Sequence, residues 1–103
     1  MYRVTTPTHV FTFPDDTSEY AEIQITYTQG DIQLVKHYQD GTLPPGMTLE
    51  NNKALVTLSQ AETKAFNKGI AKVQVRVMKG FDVFASKMFD VEVNEVNNEE
   101  ILE

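Results

Sequence analysis

"YAEIQITYTQ", residues 20–29, is the stretch on which the fold class turns. Ile23, Ile25 and Tyr27 fall on one side of an extended chain, and Gln24, Thr26 and Thr28 on the other. Alternation of period 2 with β-branched residues marks a half-buried strand. Gly30-Asp31 follows as a tight-turn pair, because Gly accepts positive φ without steric cost. The chain then returns as "IQLVKHY" (32–38), with Ile32 and Leu34 on one face and Val35 on the other. That break in the alternation predicts a bulge or partial burial on both faces.

Working outward, "THVFTF" (8–13) sets His9, Phe11 and Phe13 against Val10 and Thr12, and "PDDTSE" (14–19) supplies turn chemistry. "QDGTLPPG" (39–46) reads as a long surface loop, since its two prolines lack amide donors. "MTLE", Asn51-Asn52 and "KALVTL" form a small hairpin, in which a two-residue type I′ turn is expected. Further on, "IAKVQVRVMK" (70–79) places Val73, Val75 and Val77 inward. After a turn at Gly80, "VFASKMFDVEV" (83–93) reads as one strand with Phe89, Val91 and Val93 on a common face. Strands and turns at this short spacing predict an all-β, antiparallel, immunoglobulin-like sandwich of about seven strands.

One segment is different. "SQAETKAFNKG" (59–69) carries Ser59 as N-cap and Glu62 three residues later, the capping-box pair. Ala61 and Ala65 share a face, Phe66 is the expected anchor into the core, and Gly69 the expected left-handed stop. A helix near residues 59–67 is too short to persist alone. Its expected role is a structural corner, made by Ser59, Glu62, Phe66 and Gly69, that carries the chain between the sheets.

The 103 residues correspond to one domain. We expect residues 1–93 to form the sandwich and residues 94–103 to be a frayed acidic tail. The net charge is −6, yet residues 1–89 hold nine acids and nine bases and residues 90–103 hold six acids and no base. A neutral body with an acidic end suits neither phosphate backbones nor anionic membranes, so neither nucleic acid nor membrane is an expected partner. There is no cysteine, and His9 and His37 have no second ligand at a zinc spacing, so no metal is expected. Asp15, Asp16, Ser18 and Glu19 lack the spacing of a calcium loop and read as turn residues. No nucleophile elbow accompanies the histidines and the glycines are scattered singly. No enzymatic activity and no cofactor are therefore expected, and a small-molecule ligand is not expected either. The N-terminal segment has no apolar run of the kind found in secretory signals.

Most of the aromatic residues alternate onto core faces, and no tryptophan is present to build a sugar platform. Phe81 and Phe84, at the tip and shoulder of the last hairpin, are expected to be exposed. They form the candidate interaction surface, suited to another protein.

"TTPTHVFTFPDD" (5–16), "ITYTQ" (25–29), "LSQAETKAF" (58–66), "VQVRV" (73–77) and "AS" (85–86), in that order, resemble a family of small, largely uncharacterised proteins of phages and prophages of Gram-positive bacteria, found among structural and tail genes. The second half, "LSQAETKAFNKGIAKVQVRV" through "FASKMFDVEV", is also similar to the N-terminal β-sandwich of phage baseplate upper proteins. The resemblance does not extend to the long receptor-binding part of those proteins. The resemblance implies a virion-associated structural or assembly protein, tail- or baseplate-related, that binds other phage structural proteins or itself. It would be made in the host bacterial cytoplasm and then join the virion. The alternatives are a non-structural prophage protein that binds another protein, as a chaperone or regulator, or a carbohydrate-binding adhesive module. No functional residue transfers with the resemblance.

Overall fold

The alternating segments pair into two antiparallel sheets. The computed structural model describes all residues 1–103. Its strands are β1 (Thr8–Thr12), β2 (Glu22–Gln29), β3 (Ile32–Gln39), β4 (Met47–Glu50), β5 (Lys53–Thr57), β6 (Gly69–Lys79), β7 (Asp82–Ala85) and β8 (Phe89–Val93). The single α-helix, α1 (Gln60–Lys64), joins β5 to β6. One sheet has the order β1-β5-β4; the other has the order β3-β2-β6, with β7 and β8 following one another along the far edge of β6. The fold is an all-β sandwich.

The core is what the alternation requires. Ile23, Ile25 and Tyr27 of β2 and Ala71, Val73 and Val75 of β6 meet Met47, Ala54 and Val56 from the opposite sheet, all buried. Register in β2–β3 is continuous from Glu22↔Gln39 to Gln29↔Ile32, so the expected bulge in β3 is absent. Val35 simply faces outward, 41% exposed. The inward position beside it belongs to Lys36, and this is the reason the apolar pattern breaks.

In the two-residue turns Gly30-Asp31, Asn51-Asn52 and Gly80-Phe81, only the first residue has positive φ. The Asn51-Asn52 turn is thus not type I′, which needs positive φ at both. Asp40-Gly41, inside the expected loop, has positive φ at both and closes a bridge between Gln39 and Thr42. Next, Met47 N–H donates to Pro44 O across Pro45-Gly46, with Gly46 at φ 82°, a type II turn. A Cβ on Gly46 would stand 2.3 Å from the Thr57 carbonyl oxygen, so this turn tolerates only glycine.

At the corner, Ser59 Oγ accepts from Glu62 N–H at 3.1 Å and Glu62 Oε1 accepts from Ser59 N–H at 2.9 Å. The capping box is therefore complete. Phe66 is fully buried, 6.4 Å from Tyr27 by ring centroids. Ala61 and Ala65, by contrast, are exposed, and the buried helix residue is Thr63. Its hydroxyl donates to Thr5 O and accepts from Thr5 N–H, tying the helix to the N-terminal segment. Gly69 is not the helix stop. It is the first residue of β6, paired with Val93, and the helix ends at Ala65. The end is satisfied from elsewhere: Gln29 exchanges two side-chain hydrogen bonds with the Asn67 backbone, and Arg3 donates to Lys64 O and Phe66 O. Basic donors at a helix C-terminus satisfy carbonyls that have no partner within the helix.

The other oxygen of Glu62 reaches inward. Glu62 Oε2 lies 2.6 Å from Lys36 Nζ, which also donates to Pro45 O at 2.9 Å. Lys36 is only 5% exposed, so its charge would be costly without these partners. One carboxylate thus links strand β3, the proline turn and the helix N-terminus.

The ends of the chain are held together. Tyr2 bridges Asn94 in parallel, with Asn94 N–H donating to Met1 O and Arg3 N–H to Asn94 O. Beyond it the tail, expected to fray, returns along α1. Arg3 pairs with Glu99, and Gln60 exchanges two hydrogen bonds with the Leu102 backbone. Val4, buried at φ 56°, turns the chain from this edge toward β1 in the opposite sheet.

Two expected outcomes follow. Phe66→Ala should destabilise by about 3 kcal/mol or more and Ser59→Ala by about 1 kcal/mol in chemical denaturation; an unchanged Phe66→Ala midpoint would mean that the helix does not plug the sandwich. The second concerns pH. His9 Nδ1 lies 2.7 Å from the Tyr27 hydroxyl across the two sheets. Burial, and then the charge of the N-terminal amine, hold His9 below its usual 6.5. For Glu62, burial acts upward, but the Lys36 hydrogen bond and charge with the Ser59 hydrogen bonds outweigh it and leave the carboxyl below its usual 4.5. Both groups bind more protons unfolded than folded on acidification, so stability falls as pH drops below about 6.5 and falls again below about 4.5. His9→Gln should flatten the upper window and Glu62→Gln the lower, measured as melting temperature against pH.

Candidate functional site

The edge strand of the five-stranded sheet departs from the sequence reading. Residues 83–93 are two strands, with Ser86, Lys87 and Met88 between them. In β7 the register runs Arg76↔Ala85 and Val77↔Phe84, while in β8 it runs Val73↔Phe89. Three residues, 86–88, therefore oppose only Gln74 and Val75, which is a β-bulge. Ser86 fixes it. Its N–H donates to Val75 O at 2.8 Å and its Oγ accepts from Val75 N–H at 3.0 Å, while Gln74 Nε2 donates to Ser86 O at 3.0 Å.

The extra residue changes which side chains share a face. In an unbroken strand, Phe84 and Phe89 would lie on opposite faces, because their separation is odd. With the bulge, Phe84 sits across from Val77 and Phe89 across from Val73, both on the inward side. Sequence alternation alone puts Phe84 on the wrong face.

The inward side is not covered here. β7 is exposed along its whole length. A cleft of about 440 Å³ opens between the two sheets, lined by Phe11, Phe13, Tyr20, Val75, Val77, Phe84 and Phe89 together with the Pro14-Asp15 turn. Phe13 and Tyr20 meet edge to face at 5.4 Å and form its floor. Phe84 and Phe89 are 55% and 51% exposed on its open wall. Across the mouth, Lys79 Nζ lies 3.4 Å from Asp15 Oδ2 and 3.6 Å from Glu19 Oε1. Hydrogen bonding to Asp15 raises the Lys79 pKa, and burial followed by the Asp15 charge raises that of Tyr20. The rim is ionic and the interior apolar and aromatic. Such an arrangement suits apolar side chains of another polypeptide.

Of the two residues singled out from sequence, Phe84 lines this cleft and Phe81 does not. Phe81 stands at the hairpin tip, as exposed as a free side chain. Both lie on the β6–β7 hairpin, Phe81 in its turn and Phe84 in β7. Phe11, Phe13, Tyr20 and Phe89, which alternation assigns to the core, complete the cleft. The signal for the face of Phe84 lay in "ASKM": a serine able to hydrogen-bond backbone groups in the middle of an apolar strand. Ser59, Glu62 and Phe66 act together at the corner, at the other end of the sandwich, and have no part in the cleft. No group of three or more His, Asp or Glu side chains is arranged to hold a metal ion, and no helix is long and apolar enough to cross a membrane.

Comparison with models of known protein families finds no match, and neither the curated proteins nor the solved structures give a significant one.

Ser86→Ala should leave the Val75 amide without its partner and loosen the bulge, at a cost of about 1–3 kcal/mol. Lys79→Ala, which removes only exposed ion pairs, should cost about 1 kcal/mol or less. Urea titration of the two variants checks this order; equal small effects would mean that the bulge does not depend on the serine.

Proposed function

We propose that this chain is a structural or assembly component of a phage or prophage particle, related to the tail or baseplate, that works by protein–protein contact. The phage likeness of its sequence supports the setting. The observation that carries the mode of action is the exposed β6–β7 hairpin. It presents Phe81, Val83 and Phe84 at 104%, 50% and 55% exposure beside an open aromatic cleft. Apolar surface at an open strand edge is a liability for a free monomer and is normal for a surface that is covered on assembly. Because the rim is ionic and the interior apolar, partner contact would bury the phenylalanines and leave Asp15 and Lys79 at the margin. The same surface would serve a prophage chaperone or regulator, which is the second reading.

Particles purified from an induced lysogen and probed with an antibody against the chain separate the two. Stoichiometric presence in the particle is the expected outcome. Presence in the lysate alone would end the virion reading and favour the chaperone or regulator. Phe81→Ser with Phe84→Ser should lower incorporation while leaving the fold, followed by circular dichroism, intact.

A further inference from the structure

We infer that the partner of β7 is β7 of a second copy, paired antiparallel about a twofold axis. The inference rests on the assembly reading above and specifies its first contact. The backbone supplies the first reason. β6 and β7 join through a two-residue turn, and Ser86 N–H still donates to Val75 O at the far end. Hydrogen-bonded pairs alternate along an antiparallel ladder, so Asp82, Phe84 and Ser86 point their backbone groups at β6. Val83 and Ala85 point theirs outward, away from β6. The neighbouring strand shows what a covered edge looks like. Asn94 of the chain following β8 bonds outward to Met1 and Arg3, so the N-terminal residues close the lower part of this edge and leave β7 open.

The side chains supply the second reason. β7 is exposed on both faces, with Phe84 on the cleft side and Val83 on the other. It carries no proline and no lysine within its span to discourage pairing, the usual protections of a free edge. Charge then selects the occupant. Asp82 stands at one end of the exposed segment and Lys87 at the other, both exposed. In an antiparallel copy centred on Phe84, Asp82 of each chain stands opposite Ser86 of the other, one residue from its Lys87, whereas a parallel copy would set acid beside acid. In the register centred on Phe84, Val83 of each chain exchanges its backbone bonds with Ala85 of the other. The two Phe84 rings then face each other in a non-hydrogen-bonded pair, the closer kind of cross-strand contact. Each ring extends the apolar wall of the other's cleft. The five-stranded sheets become one continuous sheet through both copies. Because the contact is isologous, assembly by this edge stops at two.

Sedimentation equilibrium of the full chain tests this. The wild type should dimerise reversibly. Ala85→Pro removes an outward amide without removing a bond to β6, and should raise the dimer dissociation constant by about tenfold or more. Its circular dichroism and melting should match those of the monomeric wild type. If that variant misfolds, the charges give an independent answer. Asp82→Lys alone and Lys87→Asp alone should each weaken the dimer, and the double exchange should restore it. Failure of the double exchange to restore dimerisation, or a wild type that stays monomeric at millimolar concentration, would overturn the proposal. A monomeric wild type still found in purified particles would overturn self-pairing while leaving the virion reading standing, with β7 then taken by a strand of another protein. Absence from particles with dimerisation intact would do the reverse.

Discussion

A β-strand alternates faces residue by residue, and only an odd insertion can exchange them. The bulge at Ser86-Lys87-Met88 is such an insertion, and the character of the open edge depends on it. Downstream of it, Val91 and Val93 continue the inward face of β6 toward the closed end of the sandwich, where Val93 is buried. Upstream, Phe84 joins the same face instead of turning to the solvent side of the sheet. The bulge also interrupts the ladder, so the hairpin beyond it is not obliged to follow the curvature of the sheet below. Bulges are common where a strand must re-aim a side chain near a working surface.

The opposite end of the molecule is organised by charge. Lys36 occupies an inward position on β3 that the pattern of its strand reserves for an apolar residue. Its ion pair with Glu62 is a modest source of net stability at best, because desolvation offsets most of the attraction. What it supplies is geometry. Glu62 serves the capping box through one oxygen and Lys36 through the other, while Lys36 also holds the carbonyl of Pro45. The helix, the proline turn and β3 can satisfy these groups only together. The close approach of Gly46 to Thr57 sits in the same place and leaves that turn little freedom to shift.

The parts of this fold that were legible in the sequence are those specified locally. Alternation located β2 and β6, turn pairs located the hairpins, and Ser59 with Glu62 announced the helix N-terminus. Exposure of Phe81 and Phe84 could be read from their place beside Gly80. Features that depend on distant partners were hidden. The burial of Lys36 was not legible, because its counter-charge lies 26 positions away, on the helix. Gly69 looked like a helix stop because the real one is provided by Gln29 and Arg3, from other parts of the chain. The acidic tail has the composition of a frayed end, yet Arg3 and Gln60 hold it. The face of Phe84 was concealed likewise, since a one-residue shift of register leaves no trace in hydrophobic period beyond a serine.

The parallel bridge between Tyr2 and Asn94 has a mechanical consequence. The two segments run in the same direction, so tension drawing the start of the chain away from its end would slide them past each other. The bonds joining Met1, Arg3 and Asn94 would then be strained together, in shear, rather than opened one after another as in a hairpin pulled from its open end. A domain tethered at both ends in this geometry resists extension through its first few residues. Its tolerance of force and its thermal stability are therefore set by different parts of the molecule: the former by a short backbone clasp at the edge, the latter by the buried faces of β2 and β6.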